Sequence, residues 1–193
     1  MKFAHSAVAA ALGLAFCGAA FAQAGTVQRD VNQQQRIEQG LQSGQLTTRE
    51  AGKLEREESR VERDQSRAMQ DGKLSPAEKA RLAREQNRVS RDIYREKHDA
   101  QTGNPNSASS QRMQADVQRN VNQQQRIEQG VRSGSLTDRE TAKLERGEAR
   151  IDKAEARAGA NGDVNAREQR RIQKAENRES RRIHREKHDA QSK

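Results

Sequence analysis

Two groups of side chains in this sequence have the types and spacing of metal ligands. The first is a pair of histidines, His184 and His188, which stand four positions apart and therefore share one face of a helix. Glu186 and Asp189 lie beside them. Two imidazoles at this spacing can hold zinc, copper or nickel, although a tetrahedral site needs further ligands. Solvated histidines near a helix end are the alternative interpretation.

The second group lies in the segment DGKLSPAE, which carries Asp71, Gly72 and Glu78. This segment resembles the second half of an EF-hand calcium loop in degenerate form. The resemblance implies that Gly72 permits a sharp turn and that Asp71 and Glu78 supply acidic ligands. Arg67 and Met69 occupy the positions from which the family takes its first ligands. A capped turn between helices, without an ion, is the alternative that we favour.

The same residues form a helix-starting pattern that occurs four times. Each copy has a glycine, an aliphatic residue, a capping side chain and, three residues after the cap, a glutamate. The cap accepts a backbone N–H while the glutamate accepts the N–H of the cap, which is a capping box. The predicted pairs are Thr47 with Glu50, Ser75 with Glu78, Thr137 with Glu140, and Asn165 with Glu168.

These starts belong to a duplicated unit. The segment VNQQQRIEQG at 31–40 returns unchanged at 121–130, and the likeness extends over 27–101 and 117–191. Each repeat has three segments with helical spacing of apolar residues, whereas TGNPNSASS, within 102–113, has the composition of a flexible linker. We therefore predict an all-α protein of two tandem three-helix units, resembling helical hairpins or coiled coils, joined by that linker.

Sparse aliphatic seams must hold these helices together. Leu54 and Val61 lie one heptad apart, as do their counterparts Leu144 and Ile151. In the third helix, Glu179 of the second repeat replaces Val89 of the first. We expect looser packing at that layer of the second unit.

The N-terminus has the pattern of a secretory signal peptide over residues 1–22. Lys2 precedes an apolar run that ends in Ala20-Phe21-Ala22, a small-x-small cleavage motif. The run is shorter than a comfortable transmembrane helix, so no transmembrane segment is expected in the mature chain. The only cysteine, Cys17, would leave with the signal. We predict a periplasmic or secreted protein without disulfides.

Composition argues for binding and against catalysis. The net charge is +9 and Tyr94 is the only aromatic residue beyond the signal, so neither an apolar pocket nor a base-stacking surface is expected. The positive charge favours partner proteins or anionic envelope surfaces over nucleic acid. No cofactor is predicted apart from a weakly bound divalent metal. Oligomeric state is left open by the sequence.

A further resemblance concerns the dipeptides Leu46-Thr47 and Leu136-Thr137, which begin predicted helices. They are similar to the helix starts of small periplasmic helical proteins that bind unfolded chains or sense metals. The resemblance implies a non-catalytic, stress-related or holdase-like role. The alternative is a divalent-metal binder that uses the EF-hand-like loop or the histidines.

Overall fold

The structure, a computed structural model, describes the backbone of residues 17–189 and the side chains of residues 23–189. The described chain is all-helical, as predicted. Each repeat contributes three of the six α-helices, and a single 3-10 turn over Gly159–Asn161 follows the fifth. The helices are α1 (Cys17–Ser43), α2 (Thr48–Ala68), α3 (Pro76–Lys97), α4 (Ala108–Ser133), α5 (Asp138–Ala158) and α6 (Ala166–Lys187).

Capping boxes begin α2, α3, α5 and α6. At the start of α2 the backbone N–H of Glu50 donates to Thr47 Oγ1 at 3.2 Å, and the N–H of Thr47 donates to Glu50 Oε2 at 2.8 Å. The same reciprocal bonds join Ser75 with Glu78, Thr137 with Glu140, and Asn165 with Glu168. Before each box a glycine adopts positive φ, for example Gly44 at 75°, a conformation that favours glycine over side chains with a Cβ. Local sequence therefore sets where these helices start.

Helices α2 and α5 pack antiparallel across the boundary between the repeats. Ser59 Oγ donates to the backbone oxygen of Ala149 at 2.8 Å, and Arg146 Nε donates to Ser66 Oγ at 3.3 Å. Residues late in α2 thus meet residues early in α5. The apolar clusters pair α1 with α4 in the same antiparallel sense, because Val27 packs with Ile127 at one end of the bundle. The four helices form a bundle in which the two repeats are related by an approximate twofold axis.

Helices α3 and α6 cover the outside of this bundle in equivalent ways. Arg36 of α1 donates to Ser90 Oγ of α3 at 2.7 Å, and its counterpart Arg126 of α4 donates to Ser180 Oγ of α6 at the same distance. Gln86 of α3 also donates to the backbone oxygen of Thr26 at 2.9 Å. Each outer helix is therefore held by its own repeat.

The arrangement of the repeats differs from two separate units on a tether. The main apolar cluster contains Ile37 and Leu54 from the first repeat and Val117 and Ile151 from the second. Neither repeat has enough large aliphatic residues for a core of its own, so both bury theirs together. Two compact halves would leave these surfaces exposed to water.

The predicted linker 102–113 is also more ordered than expected. Its second half, 108–113, is the first part of α4. In its first half the N–H of Gly103 donates to the backbone oxygen of Gly44 at 2.8 Å. A Cβ on Gly103 would lie 2.4 Å from the backbone oxygen of Leu46, so this close approach requires glycine. The connection is fixed against the end of α1 by that contact.

At one end of the α2–α5 contact two glycines bring the backbones close together. A Cβ placed on Gly52 would lie 3.1 Å from the Cα of Gly159. A Cβ on Gly159 would meet the Cε of Met113 at 2.7 Å and the backbone oxygen of Thr48 at 2.8 Å. The space that these glycines leave is filled by the Met113 side chain, which is fully buried.

The predicted signal segment lies largely outside the described residues, which start with α1 at Cys17. Gln23, the first residue after the predicted cleavage position, is buried and its Nε2 lies 3.1 Å from the sulfur of Met69.

Candidate metal centre

The bundle centre contains carboxylates as well as aliphatic side chains. On α2 and α5 they follow the apolar seam at helical spacing, so they point into the same interface. The eight that lie on α1, α2 and α5 and are each at most 1 % exposed are referred to below as the acidic core. Its members are Asp30, Glu55, Glu58, Glu62, Glu145, Glu148, Asp152 and Glu155.

No member of the acidic core forms an ion pair among the described residues, and the nearby charge of Arg29 only partly offsets the burial of Asp30. The ion pairs of this part of the chain lie outside the core, the nearest being Arg119 with Glu176 at 3.3 Å and Arg182 with Glu179 at 3.3 Å. Burying ionised carboxylates without a positive partner costs several kcal/mol per group by general estimates, roughly 3–5 when a buried pair lacks one member. The acidic core must therefore hold protons or cations.

Side-chain amides surround the carboxylates and fix their orientation. Gln65 Nε2 and Gln86 Nε2 each donate to Asp30 at 2.7 Å, so both oxygens of that carboxylate are occupied. The other amide donors are Gln34 to Glu55 at 3.0 Å, Asn120 to Glu155 at 2.8 Å and Gln124 to Glu62 at 2.7 Å. These amides are themselves buried. They hold the carboxylates in place without cancelling their charge.

Many oxygens in this centre still lack a donor. Neither carboxylate oxygen of Glu58 or of Glu148 has a hydrogen-bond partner among the described residues. One oxygen of Glu55 and one of Glu155 are in the same state, as are the amide oxygens of Gln34 and several other core amides. A buried acceptor without a donor is destabilising by about 1–3 kcal/mol, so this many at one place indicates that something else occupies their lone pairs.

Burial raises the pKa of these acids. The pKa of Asp30 and that of Glu55 rise to about 7, because desolvation outweighs the amide hydrogen bonds that lower them. Burial also raises the pKa of Glu58 and Glu148 well above the ordinary value, with neighbouring carboxylates adding to the shift. Protons therefore remain on part of the acidic core at a pH where exposed acids have lost theirs.

One trio within the acidic core is already close enough to share an ion. Glu55, Asp152 and Glu155 each offer an oxygen, and these three oxygens lie within 4.8 Å of one another. All three residues are buried. Oxygens that bind one Ca²⁺ at 2.3–2.6 Å are separated by distances up to about twice that bond length. The trio thus has the dimensions of a partial cation site.

Two further carboxylate trios occupy equivalent places at the ends of the bundle. They are Glu50, Glu96 and Asp99 in the first repeat and Glu140, Glu186 and Asp189 in the second. Lys53 Nζ lies 2.6 Å from Glu96, and Lys143 Nζ lies 3.7 Å from Glu186. A lysine thus already supplies positive charge at each end, unlike at the acidic core.

The residues singled out in the EF-hand-like loop lie away from the acidic core. Asp71 Oδ1 accepts the N–H of Lys73 at 2.9 Å, and Glu78 Oε2 accepts the N–H of Ser75 at 2.9 Å. Asp71 is exposed and Glu78 is half-buried. Neither belongs to a group of three possible ligands among the described residues. In this structure they form a turn and a helix cap.

The two histidines stack on each other at the exposed end of α6. Their ring centroids are 4.3 Å apart, and His188 Nδ1 lies 2.7 Å from the backbone oxygen of His184. In the first repeat, His98 Nδ1 likewise lies 2.7 Å from the backbone oxygen of Tyr94. No group of three ligands in the described part of the chain includes His184 or His188. Among the described residues, neither the pair Asp71 and Glu78 nor the pair His184 and His188 is joined by a third possible metal ligand.

Sequence reasoning missed the acidic core although the signal was present. Glu55, Glu58 and Glu62 recur at spacings of three and four, as do Glu145, Glu148 and Asp152. That is the spacing of a buried helix face, and it lies directly beside the leucine and valine seam. Charged residues are almost never fully buried without partners, so this spacing alone does not distinguish a buried acidic face from a solvated one.

Comparisons with protein-family models, with curated proteins and with solved structures found no match for this chain. Among residues 17–189, none of the helices combines the length and apolar content that crossing a bilayer requires.

Proposed function

We propose that this protein binds hard divalent cations in the acidic core, and that the bound cations complete its fold. The observation that carries the proposal is the eight buried carboxylates without a basic partner in the described chain. Cations would supply the missing positive charge and occupy oxygens, such as both of Glu58 and both of Glu148, that accept no hydrogen bond. The proposed role is binding rather than catalysis.

The donor set points to a hard ion. The acidic core offers carboxylate and amide oxygens, whereas His184 and His188 lie on the exposed end of α6. Ca²⁺ takes six to eight oxygen ligands in flexible geometry, and Mn²⁺ also suits carboxylates. Zn²⁺ prefers sites that include imidazole or thiolate. We therefore expect Ca²⁺ or Mn²⁺ to bind more tightly than Zn²⁺.

More than one ion is needed to balance the charge. The trio of Glu55, Asp152 and Glu155 would bind one ion where its oxygens already converge. Glu58 and Glu148, whose oxygens remain free of donors and which both have Asp152 as a neighbour, would bind further cations. Amide side chains such as Gln34 and Asn120 would orient the ligands, since each already donates to a carboxylate of the trio.

A holdase-like role in association with unfolded proteins is the second proposal, and the surface gives it less support. Binding of unfolded chains needs exposed apolar area. Among the described residues the aliphatic side chains are buried, and Tyr94 is the only large hydrophobic residue that is exposed. Cation binding therefore accounts for more of what is distinctive in this bundle. With the export predicted from residues 1–22, either role would be carried out in the periplasm or outside the cell.

Calorimetric titration tests the cation proposal directly. Protein freed of metal with a chelator is titrated at pH 7.5 with Ca²⁺, Mn²⁺ and Zn²⁺ in turn. We expect binding of the first two, weakened about tenfold or more by Glu148→Gln, because the carboxamide keeps the shape but loses the charge. Asp163→Asn, which removes an exposed carboxylate from a turn, is the matched control and should bind normally.

Two outcomes of this titration would contradict the proposal. One is the absence of binding with all three ions by a protein that is folded in the same buffer. The other is equal binding by the wild type and Glu148→Gln, which would move the site away from the acidic core. Loss of Zn²⁺ binding alone on changing His184 or His188 would instead support the separate histidine site predicted from the sequence.

A further inference from the structure

The outer face of the second repeat has a groove between α5 and α6 that is lined by arginines. It encloses a cavity of about 590 Å³ with Gly147 and Glu179 at its base. We call it the basic groove. Its arginines are Arg150, Arg178, Arg181, Arg182 and Arg185.

On the first repeat, Arg36, Arg88, Arg91 and Arg95 line a cavity together with Asp92, which is replaced by Arg182 in the second repeat. The adjoining groove between α2 and α3, which corresponds to the base of the basic groove, differs in charge. It is lined by the acidic residues Glu57, Asp64, Glu85 and Asp92 together with Arg60 and Arg88. In the second repeat these four acidic positions are taken, in order, by Gly147, Ala154, Ala175 and Arg182. The backbone arrangement is shared, so the difference in charge comes from these four replacements, which outweigh the one negative charge gained where Glu179 replaces Val89.

The five arginines of the basic groove have one carboxylate among the lining residues, Glu179, whose pKa is raised by burial and lowered in part by Arg182 and Arg150. Arg182 pairs with Glu179 at 3.3 Å, and this is the one ion pair of the groove among the described residues. Arg150, Arg178 and Arg181 are exposed and form no ion pair in this part of the chain. In the first repeat, by contrast, Arg95 pairs with Asp92. Five arginines that converge on one cavity with a single carboxylate among them repel one another, and a bound anion would relieve that repulsion.

The shape of the cavity depends on the absence of a side chain at its base. A Cβ on Gly147 would lie 2.1 Å from the carboxyl carbon of Glu179. Glycine thus lets Glu179 lie flat against α5, and the carboxylate is only 6 % exposed. Glu179 is therefore largely buried, whereas Arg150, Arg178 and Arg181 of the same groove are exposed. An anion that enters the groove would meet five guanidinium groups and one largely buried carboxylate.

We propose that the basic groove binds a multivalent oxyanion of the phosphate class. Guanidinium groups present parallel N–H donors that match the oxygens of a phosphate, and arginine keeps its charge at any physiological pH. A cavity of this size admits a phosphorylated small molecule or a short polyphosphate. The site is separate from the acidic core in position and opposite in charge, so it does not depend on the cation proposal.

Titration with inorganic pyrophosphate at fixed ionic strength tests this site. The protein is kept free of metal, because pyrophosphate chelates divalent cations and would otherwise report on the acidic core. The variant Arg178→Ala/Arg181→Ala removes two arginines from the basic groove. The matched control Arg88→Ala/Arg91→Ala removes the equivalent two from the first repeat, with the same change in net charge. Circular dichroism verifies that each variant is folded.

We expect the second-repeat variant to bind pyrophosphate about tenfold or more weakly than the wild type, and the control to stay within about twofold. Arg182→Asp, which restores the residue of the first repeat, should also weaken binding. Equal losses in the two double variants would overturn the proposal, because they would show attraction by net charge alone. Absence of binding by the wild type would also overturn it, whether or not cations bind the acidic core.

Discussion

Glu62 of α2 and Asp152 of α5, which hold the same position in the two repeats, are buried neighbours, and the Asp152 carboxylate raises the pKa of Glu62. An amide donates to each, Gln124 to Glu62 at 2.7 Å and Asn120 to Asp152 at 3.3 Å. Two ionised carboxylates buried side by side repel each other, and either a proton on one of them or a bound cation relieves the repulsion. Burial raises the pKa of both residues well above the ordinary value. The two repeats thus meet at a pair of acids whose state depends on pH and on cations.

The stability of the metal-free protein should fall as pH rises. Asp30 and Glu55 have ordinary pKa values of 3.8 and 4.5, and burial raises both to about 7. At pH values between the ordinary pKa and about 7, the folded protein keeps protons that the unfolded chain has released. The stability from each group is therefore complete below pH 4 and is lost as pH rises through about 7. For Glu55 alone this corresponds to roughly 3 kcal/mol.

Thermal melts at pH 5 and pH 8, with and without Ca²⁺, measure this effect. We expect the metal-free protein to melt at a higher temperature at pH 5. Calcium should raise the melting temperature at pH 8 much more than at pH 5, because protons compete with the ion for the same oxygens. A metal-free protein that melts at the same temperature at both values would contradict the assignment of buried, protonated acids.

Glu58→Gln should stabilise the metal-free protein at pH 8. Both oxygens of Glu58 lack donors, and its neighbours include Asp30 and Glu55. The carboxamide removes one buried charge and brings an N–H donor to those neighbours, so we expect a gain of about 1–3 kcal/mol in the free energy of unfolding. Urea denaturation compares it with wild type and with Asp163→Asn, which should change little. If Glu58→Gln is less stable than the wild type, the carboxylate of Glu58 stabilises the metal-free fold, and this prediction is wrong.

Glu78→Ala should lower stability without affecting cation binding. Glu78 accepts the N–H of Ser75 in the capping box of α3, and losing such a cap costs about 0.5–2 kcal/mol. Glu168→Ala, which breaks the equivalent box of α6, is the matched control and should lose a similar amount. Calcium titration of both variants decides between a cap and a ligand. If Glu78→Ala alone loses affinity, the EF-hand-like loop binds the ion after all.

Gly159→Ala should destabilise the bundle by about 1–3 kcal/mol, the usual cost of forcing a methyl group into a packed contact. The added Cβ would lie 2.8 Å from the backbone oxygen of Thr48, which cannot rotate away. Gly25→Ala in α1 is the control, because nothing lies within 4 Å of a Cβ at that position. Thermal denaturation should show a loss for the first variant and no loss for the second. Equal melting temperatures would show that α2 and α5 are farther apart than described.

The start of each helix could be predicted from the sequence because capping is local. Thr47 and Glu50 need only each other and the intervening backbone, so a four-residue pattern was enough. The seam of Leu54 and Val61 was likewise predictable from heptad spacing, and both residues are buried. What these patterns leave open is the identity of the surface against which each helix packs.

The acidic core and the pairing of the repeats depend on that missing information. Glu55 lies on a solvated face if α5 is absent and on a buried face if α5 covers it. The sequence of α2 alone does not determine which of the two applies. Glu179 shows the same limit. The sequence predicted loose packing where it replaces Val89, but Gly147 on the neighbouring helix makes room for it, and Glu179 is 6 % exposed. Such compensation is visible only when both helices are in place.

The approximate twofold axis through the α2–α5 contact has a consequence for how such a chain can diversify. Two identical copies of one unit, meeting across that axis, would complete the same bundle as a homodimer, but every surface would then occur twice and alike. With both units on one polypeptide, a mutation in one unit is not repeated in the other, so the two outer surfaces can differ. Gly147, Ala154, Ala175 and Arg182 are changes of that kind, made where the interior is shared and the exterior is free to specialise.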